Sequence, residues 1–388
     1  MFIGIVGPTC SGKHELASLL TEMHGFQRLY LTKTPEPIPL HPIPQEVASA
    51  VGPCPTPLYF DNLDAMLEHV TLNWMNHFVT CDASTVEMVA VLRKRPFFLL
   101  LSVEAPMMTR FNRCVAKCRR LGLEEPTLQQ FVEKTDQALY NTAMTPASSP
   151  VQASPQHQQT TQPSMQLFSP PYKLLSMCDL SILNSFDHVD PLRQTLAALD
   201  IINPDLLRPS WDSYFMHLAD LAARRSNCMK RRVGCVLVRD KRVIATGYNG
   251  TPKNLKNCNE GGCGRCNSAT PCGKGLDRCL CMHAEENALL EAGRERIGSG
   301  SIIYCNTCPC LGCAIKIAQV GVSQVVFSES YGMDELTAEV FRKAGVILRQ
   351  HAPPGMKLDG RAERLQNHSP EMGLEMQSFA PQPNGTNI

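Results

Sequence analysis

Hydrophobic positions along the chain follow two rhythms. Solid apolar runs at residues 2–6, 97–103 and 178–183 predict short buried strands. Between them, apolar residues recur every three or four positions over 13–24, 107–121 and 191–199, the spacing of helices packed by one face. Strands alternating with helices predict a parallel sheet covered on both sides. A second unit opens at Trp211. Residues 211–226 predict a helix with Phe215, Leu218, Ala219 and Ala222 on one face. Residues 233–238 and 242–247 predict a strand pair turned at Asp240-Lys241. Helices are expected over 283–292, 311–320 and 334–344, and strands over 301–304, 324–327 and 346–348. Together these make a mixed sheet flanked by helices.

Polar stretches divide the chain. Residues 141–171 (NTAMTPASSPVQASPQHQQTTQPSMQLFSPP) are rich in Gln, Ser, Thr and Pro and hold few large apolar side chains. They cannot bury enough surface to offset chain entropy, so disorder is expected there and over residues 353–388. Two prolines bracketing a Leu pair make 203–209 a shorter break. The expected organisation is a domain over 1–203 with a disordered insertion at 141–171, a second domain over 208–352, and a disordered tail. With 388 residues, 43% of them hydrophobic and 19% charged, the chain can build two cores.

A formal net charge of +1 calls for no polyanionic partner, so no nucleic acid is expected. The beginning, MFIGIVGPTCSGKH, lacks a basic segment followed by a long apolar one, and the run at 97–103 is too short to span a bilayer. No secretory signal and no membrane association are expected. Of the 18 cysteines, 12 lie between Cys228 and Cys313. In a reducing, cytoplasmic setting, with the nucleus also open, clustered cysteines are metal ligands more often than disulfides.

The strongest chemical signal is His283-Ala284-Glu285, followed by Pro309-Cys310-Leu311-Gly312-Cys313. Cys310 and Cys313 lie three apart at a predicted helix start, so both sulfurs fall on one face. That helix end also favours thiolate over thiol. His283 opens another helix and offers a third ligand. Three protein ligands leave one zinc position for water, the arrangement of a catalytic rather than a structural site. Glu285, two residues past the histidine, is placed to handle the water's proton rather than the metal. The set matches the signature His-x-Glu with Pro-Cys-x-x-Cys of nucleobase deaminases.

Here the chain resembles the deoxycytidylate (dCMP) deaminases, in particular the fungal type with an N-terminal extension. The resemblance rests on Gly247-Tyr248-Asn249-Gly250-Thr251-Pro252, His283-Ala284-Glu285-Glu286-Asn287-Ala288 and Cys308-Pro309-Cys310-Leu311-Gly312-Cys313, and it covers about residues 208–350. It implies an α/β chain whose C-terminal domain is a three-layer αβα cytidine-deaminase-like unit with a mixed sheet. It implies catalytic Zn2+ on His283, Cys310 and Cys313, Glu285 as the catalytic proton shuttle, and Asn249 as a substrate contact. The implied reaction turns dCMP into dUMP and ammonia, supplying dUMP for thymidylate synthesis. A homo-oligomer responsive to dCTP and dTTP as allosteric effectors is also implied. One segment departs from the family pattern, Asn227-Cys228-Met229-Lys230-Arg231-Arg232, whose arginines offer either a phosphate contact or a solvated charge run.

Between Thr251 and His283 lie six more cysteines, with knuckle spacing at Cys263-x-x-Cys266. The segment is too rich in Gly and Asn to fold on apolar burial alone. Cys258, Cys263, Cys266 and Cys281 are candidate ligands of a second, structural Zn2+, with Cys228 in reserve.

In the first half, Gly7-Pro8-Thr9-Cys10-Ser11-Gly12-Lys13 follows a predicted strand and opens a helix, the context of a phosphate-cradling P-loop. Gly7, Gly12 and Lys13 are its candidate phosphate-binding residues. His14 stands where Ser or Thr normally meets magnesium, which argues against phosphoryl transfer. Residues 102–106, Arg110, Arg113 and residues 179–184 resemble dephospho-CoA and nucleotide kinases. The expectation is a P-loop-like α/β domain preceding the deaminase unit. Two other functions stay open on the sequence: deamination of tRNA adenosine or free cytosine, and a P-loop kinase or nucleotide-binding protein with an inert zinc unit.

Overall fold

The structure, a computed structural model, describes residues 1–31, 55–140, 172–271, 274–330 and 335–354. The expected disordered stretch at 141–171 and the tail from 355 onward lie outside these residues.

Strands β1 (Phe2–Val6), β2 (Gln27–Tyr30), β3 (Leu58–Tyr59), β4 (Phe78–Thr80), β5 (Phe98–Glu104) and β6 (Leu180–Leu183) form one six-stranded sheet. Its order is β3-β2-β4-β1-β5-β6 and every pairing is parallel. A strand covered on both faces needs apolar side chains at every position, and β1 (FIGIV) is buried throughout. Ile3 and Ile5 join a core that includes the Lys13–His24 helix, whereas Phe2 and Val6 join a second core on the other face.

The second sheet runs β11-β10-β9-β7-β8, with β7 (Gly234–Arg239), β8 (Arg242–Tyr248), β9 (Ile302–Thr307), β10 (Gln324–Glu329) and β11 (Ile347–Gln350). It is mixed: β7 pairs antiparallel with β8 and β9, whereas β9, β10 and β11 are parallel. The hairpin turns where expected, with both Asp240 (φ 50°) and Lys241 (φ 59°) in the left-handed region, the geometry of a two-residue turn matched to strand twist. Side chains alternate between two cores. Cys235, Leu237, Ile303 and Cys305 face the helices Ala284–Ala292, Leu311–Gln319 and Glu335–Lys343. Val236, Val238 and Tyr304 face the Trp211–Ala223 helix through Phe215, Met216 and Ala219. Helices on both faces of a mixed sheet are what the sequence pattern predicts.

Several bounds differ from expectation. The 211–226 helix stops at Ala223, and β9 runs on to Thr307, which brings its end up to Cys308. Between His24 and Phe97 the pattern predicts nothing, yet β2, β3, β4 and the helices Leu63–Leu72 and Val86–Leu92 lie there. Among the described residues no helix is long and apolar enough to cross a membrane.

Candidate active site

Two helix starts and one strand end build the site. Gly250 and Met282 exchange backbone hydrogen bonds (3.2 and 2.9 Å), fixing the chain just before His283. His283 is extended (φ −79°, ψ 157°) and caps the Ala284–Ala292 helix, while the Glu286 carboxylate accepts its backbone N–H at 2.9 Å. This helix lies against β8 because Gly247 has no side chain: a Cβ there would collide with Ala284 O and Ala288 N. Asn287 Nδ2 donates to Tyr248 O at 3.1 Å, and Lys316 pairs with Glu286, tying the His283 helix to the Cys310 helix. After β9, Cys308 N–H bonds Glu329 O (2.9 Å), and Cys310 caps the Leu311–Gln319 helix.

These turns bring three ligand atoms together. His283 Nδ1 lies 3.4 Å from Cys310 Sγ and 3.3 Å from Cys313 Sγ, and all three atoms are within 4.8 Å of one another. A hydrogen bond from the Cys313 thiol holds the Cys310 thiol down to about 3, and one with Cys310 holds His283 up to about 9. Cys313 is raised in turn by Cys310. The three groups thus share protons at one point, where a cation would displace them. Two thiolates and one imidazole are the donors zinc prefers, so these residues fit the metal. His283 and Cys310 are exposed and Cys313 is buried, which makes the point reachable from one side. Glu285 is only 4% exposed, and burial pushes its carboxyl up to about 7, the range of a group that takes and returns protons at neutral pH. Beside the triad, Met282 and Asn287 join Asn227, Tyr248, Thr251 and Asn257 around a polar cavity of about 350 Å³.

Residues 209–329 match the family described as "Cytidine and deoxycytidylate deaminase zinc-binding region". A deoxycytidylate deaminase of Schizosaccharomyces pombe is 44% identical over 352 residues, 91% of this chain and 98% of the relative. One from Saccharomyces cerevisiae is 42% identical over 297 residues, 75% of this chain and 86% of the relative. The chain belongs to the deoxycytidylate deaminase family. The deoxycytidylate deaminase of Mycobacterium phage D29 is 42% identical over 125 residues, 95% of its own length but 31% of this chain. A family member can therefore be about a third as long, and the fungal relatives share the N-terminal half as well.

The other sequence candidates fall unevenly around this deaminase site. Asn249 is 8% exposed and its amide is engaged inside the protein. Nδ2 donates to Arg231 O (2.8 Å), while Oδ1 accepts from Val233 N (2.8 Å) and lies 2.7 Å from Ser226 Oγ. It shapes the segment that leads into β7. Ser226, its partner, is a residue the sequence reading missed, and only its place beside the Asn227-Cys228 segment could have signalled it. Arg231 makes an ion pair with Glu329 at 2.8 Å, a structural alternative to phosphate contact.

The four cysteines expected to hold one metal do not form one group. Cys258, Cys266 and Cys281 converge with Cys228; Cys263 converges with Cys279, Cys266 and Cys281. Cys228 therefore moves from reserve into the cluster, and Cys279 was missed. The chain passes the cluster from two directions, so sequence spacing alone could not sort its sulfurs.

In the N-terminal half, Gly12 takes φ 99° between β1 and the Lys13–His24 helix, a conformation that favours glycine. Arg113 donates to Cys10 O and Ser11 O (3.2 and 3.3 Å), and Asn184 Nδ2 to Ser11 O (2.8 Å). Lys13 Nζ lies 3.3 Å from Gly7 O and, with His14, Cys81 and Asp82, lines a cavity of about 610 Å³.

Proposed function

We propose that this chain hydrolyses dCMP to dUMP and ammonia at the His283–Cys310–Cys313 centre, with Glu285 as its proton carrier. The observation that carries this reading is a buried carboxyl, Glu285, two residues from a histidine that shares one point with two cysteines. Zinc held by those three side chains supplies Lewis acidity, which makes water a nucleophile near neutral pH. Glu285 takes a proton from the attacking water and places it on ring N3, then takes the proton of the new C4 hydroxyl and passes it to the 4-amino group. The C4–N bond then breaks, and the water's oxygen remains on C4 as the carbonyl. The Glu286–Lys316 pair and the close contact of Gly247 with the His283 helix hold Glu285 in place. Asn249 serves substrate by fixing the backbone from 226 to 233 beside the polar cavity.

The names of the fungal relatives support dCMP as the substrate. The test is ammonia release by purified protein offered dCMP, cytidine, cytosine and a tRNA anticodon arm. Turnover of dCMP is expected; turnover of the tRNA arm alone would overturn the assignment.

Four further statements belong to the same reading. The two domains divide near residues 203–208. The enzyme works as a homo-oligomer in the cytoplasm, a reducing setting that suits clustered cysteines as metal ligands. dCTP and dTTP modulate it. Finally, the N-terminal domain is P-loop-like and binds nucleotide phosphate through the Gly7–Lys13 turn without turning it over. An all-parallel sheet, a glycine-rich turn that opens a helix, and a lysine-lined cavity support this last statement.

A further inference from the structure

The loop between β8 and the His283 helix has a core made of one element. Its buried apolar cluster consists of Cys258, Cys263, Cys266 and Cys281, with Cys228 and Cys279 packed against it. Among its described residues, regular structure is limited to single turns at Cys258–Glu260, Gly264–Asn267 and Leu276–Arg278 and the Gly250–Met282 bridge. Ordering each residue of such a loop costs backbone entropy that burial must offset. Six sulfurs offer little hydrophobic return, so their convergence needs another cause.

Disulfides are not that cause. Cys228–Cys266, Cys266–Cys279, Cys266–Cys281 and Cys263–Cys279 stand at 3.8, 3.6, 3.9 and 3.9 Å between sulfurs. A disulfide bond is about 2.05 Å long. With zinc–sulfur bonds of about 2.3 Å, the edge of a tetrahedral sulfur cage is about 3.8 Å. The six sulfurs also sort into two complete quartets whose members all lie within 4.8 Å of one another. One is Cys228, Cys258, Cys266 and Cys281; the other is Cys263, Cys266, Cys279 and Cys281. The quartets share two members and thus one edge, Cys266–Cys281.

We propose that this loop holds two zinc ions in a six-cysteine cluster, with Cys266 and Cys281 bridging both metals. The arrangement satisfies four-coordination twice with six ligands, which a single zinc cannot do without leaving two thiols idle. The surrounding donors fit it. Met229 N–H and Leu280 N–H point at Cys258 Sγ and Cys263 Sγ, both at 3.4 Å, and Asn267 Nδ2 approaches Cys258 Sγ at 3.8 Å. Each of those sulfurs belongs to one quartet only, so it keeps lone pairs for N–H donors. The cluster also has a structural consequence. Cys228, Cys258 and Cys281 each directly adjoin a residue lining the polar cavity, namely Asn227, Asn257 and Met282. Metal in the loop thus sets three walls of the cavity beside His283.

Native mass spectrometry of the full chain as purified tests the count. Three zinc ions per chain are expected, one at His283 and two in the loop; two per chain would overturn the proposal. H283A should lose one zinc and keep the loop pair, which separates this outcome from failure of the catalytic reading. C279S and C258S, each confined to one quartet, should lose one loop ion; a full complement in C279S would also overturn it. Should a variant fail to fold, cadmium-113 exchanged into the wild-type protein decides. Two tetrathiolate resonances with mutual coupling support bridging, and a single uncoupled one contradicts it.

Discussion

At the scale of single residues, Glu285 carries the chemical argument. Its neighbour Glu286 is also acidic, but that carboxylate is spent on the His283 N–H and on Lys316. Glu285 is buried and raised by desolvation, so it is the group free to exchange protons. Replacing it with Gln keeps the shape and removes the proton function. Glu285→Gln should lower kcat at least about a hundredfold while zinc content stays unchanged, measured by ammonia release and metal analysis of the same sample. Retained turnover would remove its role. The motif singles out Glu285 by residue types and spacing that one short segment carries, and the structure buries that residue two positions from His283. Asn249 owes its surroundings to the fold instead. Its motif pointed to substrate, whereas its amide is engaged with Arg231, Val233 and Ser226, partners that no local spacing could name.

At the scale of elements, the site depends on how closely the His283 helix lies on β8. Gly247 permits that approach, so Gly247→Ala should force the helix outward. A loss of about 1–3 kcal/mol in stability is expected, with a fall in kcat beyond what the lowered Tm explains. Thermal melts and kinetics at a temperature where both proteins are folded would check it. Elements with long patterns were legible: the Lys13–His24 and Met107–Leu121 helices match the expected ranges. Those missed are short or mixed. β3 has two residues and β4 three, and β2 carries a buried arginine, Arg28, so no run of two-residue alternation could form. The helices Leu63–Leu72 and Val86–Leu92 left a usable signal in their caps. Asn62 accepts from Ala65 N and Thr85 from Met88 N. Each cap is followed by an apolar stripe at helical spacing, Leu63, Met66, Leu67 and Val70 in the first and Val86 and Val89 in the second, so both helices were legible and were passed over.

At the scale of the whole molecule, a seam joins the Trp211–Ala223 helix to the sheet. Asp212 Oδ1 accepts from Tyr304 Oη and from Arg349, both at 2.7 Å, and Ser213 Oγ lies 2.9 Å from His351 Nε2. Burial pushes the Asp212 carboxyl up, but the bonds from Arg349 and Tyr304 outweigh it and hold the group below its ordinary value. A carboxyl depressed by folding adds stability above its unfolded value of about 4 and loses it as pH falls through the folded value. Asp212→Asn should therefore cost about 1.5–3 kcal/mol near pH 7, and the difference from wild type should shrink below about pH 4. Denaturant melts across pH test this; a constant difference would contradict it. Fold class was legible because strand and helix periods alternate along most of the chain. The cysteine cluster was legible only as a cluster, since which sulfur meets which depends on how the loop folds back.

The proposed hydrolysis depends on zinc at the His283 centre. A zinc-edge anomalous map from a crystal of the active enzyme tests it most directly. A peak bonded to His283 Nδ1, Cys310 Sγ and Cys313 Sγ is the predicted result. Full activity in a protein whose map shows nothing between those three atoms would contradict it.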